Sequence, residues 1–159
     1  MPFDLAALLP QLLPLATQWG QLCEAQILRD GRPLDRAGLA LARAVGVGSP
    51  LLIRVQHVRS IPWPAEPILR RAAMATGLLG PGVEGLTLGY GIYIVGRRRN
   101  GPACGNPLLL SHECRHVHQY EQAGSIGAFL KEYLRQIVEL GYERSPYEVD
   151  ARAWERDLC

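Results

Sequence analysis

The pentapeptide HECRH at residues 112–116 constrains this chain more than any other feature. Its two histidines are four residues apart, so on an α-helix they share one face and lie about one turn from each other. Two imidazoles in this arrangement can bind one metal ion, but a catalytic zinc usually has three protein ligands and a water. The chain must therefore form a helix here and bring a third ligand from another element.

Glu113 adds a chemical function to this helix. It follows His112 directly and lies about 100° around the helix, so it does not compete as a ligand but can reach a metal-bound water. Zinc lowers the pKa of such a water toward ~7, and a carboxylate can then take its proton. The motif predicts one zinc ion per chain, bound by His112 and His116, with Glu113 as the catalytic base. The alternative is a pair of surface histidines in contact across one helical turn.

Apolar periodicity and turn residues divide the chain into helices, a few strands and further helices. This order predicts an α+β fold, mainly helical with a small sheet, rather than alternating strand–helix units. Helices are expected at 14–28, 33–45, 67–75, 107–120, 125–140 and 146–157, with a separate opening helix at 5–16 and strands at 51–58 and 86–95.

Length and composition limit the classes of protein to consider. The 159 residues predict a single domain over 1–159, with N-terminal helices and the first strand in 1–60. A net charge of +2 does not favour a nucleic-acid partner, and no apolar run reaches the ~20 residues that span a bilayer. Four cysteines without CxxC spacing favour a reducing cytoplasm over a disulfide framework. Lys131 is the only lysine, a bias typical of GC-rich, bacterial coding.

Three segments resemble small bacterial zincin-like metallopeptidase domains: LTLGYGIYIV, LLLSHECRHVHQYEQAG and GYERSPYEVDARAWE. Together they extend from Leu86 to Trp154, and the motif is similar to that of the gluzincins, in which a downstream glutamate is the third zinc ligand. The resemblance implies that Glu148 joins His112 and His116 as a ligand. It also implies a zincin-like domain in which residues 86–157 hold the cleft strand, the metal helix and the third-ligand helix.

The same resemblance implies a zinc-dependent peptidase that acts on a peptide or protein substrate. The strand at 86–95 would then be the edge strand that borders the active-site cleft, and an extended substrate would bind at Gly89, Tyr90 and Gly91. The two glycines support this expectation because a strand without side chains allows another backbone to approach closely. The alternative is a catalytically weak or inactive metal-binding module with a regulatory role, although the intact Glu113 argues against it.

The residues alone leave the third ligand open. The segment Ser145-Pro146-Tyr147-Glu148 also matches a capping box, in which the glutamate reaches back to the serine amide. If Glu148 has that role, Glu143 or Asp150 would have to bind the metal instead.

The sequence also does not determine which residues hold the two histidines in position. Many gluzincins have an aspartate four residues after the ligand glutamate, but this chain has Arg152 there, and Asp150 is the nearest carboxylate. Gln119 lies on the same helix face as His116 and, with Asp150, is a candidate for this role. Cys104 precedes the metal helix and could reach the ion, but a loop cysteine without a metal role is the simpler interpretation.

Overall fold

The structure is a computed structural model that describes residues 3–96 and 105–158. It confirms the α+β class, since helices surround a small four-stranded sheet. The helices and strands, in chain order, are α1 (Leu5–Asp30), β1 (Arg32–Pro33), α2 (Arg36–Ala44), β2 (Arg54–Val58), α3 (Pro67–Thr76), β3 (Gly85–Leu88), β4 (Gly91–Val95), α4 (Pro107–Ala123), α5 (Ile126–Leu140) and α6 (Pro146–Ala153).

Helix α1 is longer than the sequence predicted, because the separate opening helix and the helix at 14–28 form one continuous element. Asp4 caps its start by accepting a hydrogen bond from the Ala7 amide at 3.2 Å. Pro10 and Pro14 lie inside the helix, where each removes a backbone hydrogen bond. Burial of an apolar face that runs from Leu12 to Ile27 offsets this loss.

The sheet has the order β1-β2-β4-β3, with β2 and β4 parallel and the other pairs antiparallel. The single strand predicted at 86–95 is wrong, because this segment is a hairpin whose two strands are joined at Gly89 and Tyr90. Gly89 has φ +63° at the first central position of the turn, where a type II′ turn requires glycine. Of the two hairpin strands, only β3 lies at an edge of the sheet, and β4 lies inside it between β2 and β3.

Helix α4 occupies the centre of the molecule, where it contacts α2, α5, α6 and β3. Asn106 caps its start by accepting from the Leu109 amide at 3.1 Å, and Gly124 ends it in the left-handed conformation with φ +91°. Since β3 lies on one side of α4 and α6 on another, side chains from all three elements meet. No helix in the described ranges combines the length and the apolar character needed to cross a bilayer.

Candidate metal centre

Three side chains converge between α4 and α6. The Nε2 atom of His112 lies 3.2 Å from Oε2 of Glu148, and the Nε2 atom of His116 lies 3.1 Å from Oε1 of the same carboxylate. One ligand atom from each residue lies within 4.8 Å of the other two. Glu148 is only 2 % exposed. The structure thus brings together the three residues that the sequence and the resemblance proposed as ligands.

The three side chains could hold a metal ion, and their spacing is compatible with zinc. With zinc–ligand bonds of about 2.0–2.1 Å, two ligands of a tetrahedral ion lie about 3.3 Å apart, close to the two distances observed. Within the described part of the chain, no donor is aligned for a hydrogen bond on Oε2 of Glu148, although that atom is fully buried. Its contacts are ion pairs, 3.2 Å to His112 Nε2 and 4.0 Å to Arg152, and a metal ion would supply the direct bond that the buried oxygen lacks. Two imidazoles and a carboxylate are also a donor set that zinc prefers.

The hydrogen bonds of Gln119 determine which nitrogen of His116 is free. The Gln119 amide nitrogen donates to the Tyr147 carbonyl at 2.9 Å and to Asp150 Oδ2 at 2.8 Å. Its Oε1 is therefore the acceptor for His116 Nδ1, which lies 2.8 Å away. A protonated Nδ1 leaves the Nε2 lone pair directed at the proposed metal position. The structure thus places Gln119 in contact with His116, and it places Asp150 in contact with Gln119.

Glu155 has the corresponding position beside His112, since its Oε1 lies 3.0 Å from His112 Nδ1. A carboxylate acceptor holds the proton on Nδ1 and again leaves Nε2 free. Sequence analysis did not assign this role to Glu155 and found Arg152 where a supporting carboxylate was expected. The helix predicted at 146–157 ends at Ala153, so Glu155 lies beyond α6 and no helical spacing links it to Glu148.

Tyr133 of α5 is a third supporting residue that sequence analysis did not identify. Its hydroxyl donates to Glu148 Oε1 at 2.5 Å. Tyr133 is 7 % exposed and packs with the apolar residues of α5. The only signal is general, because a buried tyrosine hydroxyl usually has a hydrogen-bond partner.

The charges in this cluster favour the ionised form of Glu148 and a cation beside it. Burial alone would raise the pKa of Glu148, but its contacts with His112 and His116 prevail and lower that pKa below its ordinary range. Burial opposes the charged form of His116, yet the hydrogen bond and charge of Glu148 raise the pKa of His116 to about 9. The cluster therefore attracts a cation, either a proton on an imidazole or a metal ion.

Glu113 lies next to the cluster against strand β3. Its Oε2 accepts a hydrogen bond from the Thr87 hydroxyl at 2.6 Å, and the residue is 5 % exposed. A Cβ atom on Gly85 would lie 2.6 Å from Oε1 of Glu113, so β3 can approach this closely only with glycine there. Burial raises the pKa of Glu113, and the neighbouring imidazoles oppose this only partly. A raised pKa suits a group that accepts and later releases a proton.

A cavity of about 20 Å³ adjoins these groups. A water molecule needs about 10–15 Å³ of such volume, so the cavity has room for one water. It is lined by the carboxylates of Glu113 and Glu148, the ring of His116, and Tyr142 of the segment before α6. A water in this cavity would lie beside both Glu113 and the side chains of His116 and Glu148.

The structure does not bring the alternative third ligands to the histidines. Glu148 does not take part in a capping box, since its carboxylate is directed at the histidines and the Ser145 hydroxyl donates to Gln136 instead. Glu143 is exposed and pairs with Arg152 at 3.6 Å. Asp150 accepts two hydrogen bonds from Arg115, at 2.8 and 3.2 Å.

Gly89, Tyr90 and Gly91 are not brought to the cluster. The Tyr90 amide donates to Glu24 of α1 at 2.9 Å, and a Cβ atom on Gly91 would lie 2.9 Å from the Ile27 side chain. The two glycines therefore allow α1 to pack against the hairpin, which is the physical reason for their presence. Cys104, considered above as a possible metal contact, lies outside the described residues.

Comparison of the chain with protein-family models, with curated proteins and with solved structures finds no match. The functional argument therefore rests on the geometry of the cluster.

Proposed function

We propose that this protein is a zinc-dependent metallohydrolase of zincin-like type that cleaves peptide bonds. The observation that carries the proposal is the convergence of His112, His116 and Glu148 beside Glu113 and a cavity that has room for one water. A cytoplasmic location belongs to the same proposal, and the buried free thiols of Cys23 and Cys114 are compatible with it.

The residues divide the chemistry between them. His112, His116 and Glu148 would hold zinc, which supplies an acidified water and a Lewis acid for the substrate carbonyl. Glu113 takes the proton of the attacking water and passes it to the leaving nitrogen. Its position against Thr87 keeps the carboxylate oriented toward the cavity through both transfers.

Strand β3 supports a peptide as the substrate. The antiparallel pairing alternates, so the Glu84 carbonyl bonds to β4 and the backbone groups of Gly85 and Thr87 face the free edge. The Thr87 carbonyl accepts from Tyr120 at 3.1 Å, but Gly85 lies beside Glu113. An extended peptide that pairs with β3 at Gly85 would therefore place its backbone at the proposed base.

A second candidate is a metal-binding module without turnover. The burial of Glu113 and the small volume of the cavity favour it, because a bound peptide needs more space than one water. Catalysis requires Leu78 or Tyr142, which line the cavity, to move when substrate binds.

Zinc titration and a peptide-cleavage assay test the proposal together. We expect one zinc per chain, lost in His116→Ala and kept in a control substitution of the exposed His57, His57→Ala. With a mixture of peptides read by mass spectrometry, Glu113→Gln should bind zinc but lose cleavage by ~10²–10⁴-fold. Glu139→Gln, a substitution of an exposed glutamate on α5, is the matched control.

The outcomes separate the candidates. Zinc binding without any cleavage that depends on Glu113 supports the non-catalytic module. Parent-like cleavage by Glu113→Gln contradicts the proposed mechanism, and failure to bind zinc contradicts both candidates.

A further inference from the structure

An apolar cavity of about 90 Å³ lies between α1, α3, α5 and the sheet. Its volume is several times that of one water, and its lining offers almost no polar atoms with which water could hydrogen-bond. Protein interiors contain few spaces of this size. A space with so few polar atoms favours an apolar occupant over water.

Small residues create this space. Ala16 of α1 and Ala72 and Ala73 of α3 all line it, although these positions are buried among leucines and larger aliphatic side chains would fill the volume. Because the alanines belong to two different helices, the space does not result from a single poorly packed contact.

The cavity shares a wall with the metal centre. Leu78, Leu86, Thr87 and Tyr133 line both the apolar cavity and the small cavity beside Glu113. The Thr87 hydroxyl bonds to Glu113 and the Tyr133 hydroxyl bonds to Glu148, so both residues direct their polar atoms to the metal side. Apolar surface separates the two spaces, and two half-buried leucines form part of it.

We propose that the apolar cavity receives a bulky aliphatic group of the substrate, which enters from the metal centre past Leu78 and Leu86. This inference rests on the proposed hydrolase function, since it assigns a substrate class to the same site. The substrate would carry the aliphatic group close to the bond that is cleaved, and the alanines of α1 and α3 would set the largest group accepted.

The first arm of the test needs no metal. 1-Hexanol is titrated into the metal-free protein, and methyl resonances of Leu12, Ala16 and Ala72 are followed by nuclear magnetic resonance. Saturable shifts are expected in the parent and in Ala75→Leu, which alters an exposed position of α3. Ala72→Leu should abolish them, and Ala16→Val is the second filling variant if Ala72→Leu does not fold. Absence of saturable shifts in the parent overturns the inference.

The second arm uses the zinc-loaded protein. A series of hydroxamates that chelate zinc and carry tails from one to six carbons is titrated by calorimetry. Affinity should rise about fourfold for each methylene that enters the cavity. The increase should vanish in Ala72→Leu, persist in Ala75→Leu, and leave the affinity of acetohydroxamate unchanged in both.

The two arms distinguish failure of the inference from failure of the proposed function. If zinc binds normally but the affinity for the hydroxamates does not depend on the length of their tails, the substrate pocket alone is overturned. Failure to bind zinc overturns the hydrolase and the substrate assignment together, and hexanol binding then shows only an apolar cavity.

Discussion

His112 and His116 each direct one ring nitrogen at the proposed metal and the other at a polar partner, and these partners differ. His116 bonds to the neutral amide of Gln119, whereas His112 bonds to the charged carboxylate of Glu155. A carboxylate partner increases the basicity of an imidazole more than an amide does. The two histidines therefore have unequal partners, a neutral amide for His116 and a carboxylate for His112.

The first prediction compares three glutamates near this cluster. Glu148→Gln should lower zinc affinity by more than ~100-fold because it removes a charged ligand, and Glu155→Gln should lower it by ~10–100-fold because it removes support for His112. Glu143→Gln, which alters an exposed residue before α6, should leave it unchanged. Titration against a competing chelator measures all three. Parent-like affinity in Glu148→Gln would exclude it as a ligand.

At the scale of elements, the approach of β3 to α4 depends on Gly85. We expect Gly85→Ala to displace Glu113 or the strand, since the added Cβ would lie 2.6 Å from the carboxylate. Such overpacking should cost ~1–3 kcal/mol of stability and reduce cleavage more than zinc affinity.

Gly127→Ala is the control for this variant. Its Cβ atom would meet only Thr17, at 3.4 Å, and Gly127 lies in the first turn of α5, where alanine is favoured over glycine by less than the ~1 kcal/mol of a helix interior. Thermal unfolding, zinc titration and the cleavage assay compare the two. A Gly85→Ala variant with parent-like stability and cleavage would show that the close approach of β3 is dispensable.

The elements also show what the sequence could predict. Helix α4 and the positions of His112 and His116 on it follow from residue spacing within a single segment of sequence. The hairpin at 85–95 was taken for one strand because apolar residues continue across it and the Gly89-Tyr90 turn was not recognised. Tyr133 and Glu155 meet the ligands only through the packing of α5 and α6 on α4, which no local pattern specifies.

At the scale of the whole molecule, the stability of the metal-free protein should fall as pH rises above about 6.5, and bound zinc should remove this loss. The pKa of His116 is about 9 in the folded metal-free protein, above the ~6.5 of an unfolded chain. The contribution of protonated His116 to the free energy of unfolding is therefore complete below about pH 6.5 and is lost as pH rises through 9. Zinc competes with protons for His116, so the stabilisation by zinc should increase over the same range.

Thermal unfolding between pH 6 and 9 checks this prediction, once with a chelator and once with excess zinc. The difference between the two unfolding midpoints should widen as pH rises. His116→Ala should remove the widening, and a difference independent of pH in the parent would contradict it.

The short length of α6 has a consequence for how the molecule responds to metal. It has eight residues, too few for a stable isolated helix in water, so its order depends on docking to α4 and α5. Glu148 forms much of that docking through His112, His116 and Tyr133. Zinc would thus hold α6 against α4. Amide hydrogen exchange in α6 should therefore slow on zinc binding, while exchange in α1 stays the same. The order of α6 would then depend on whether zinc is bound.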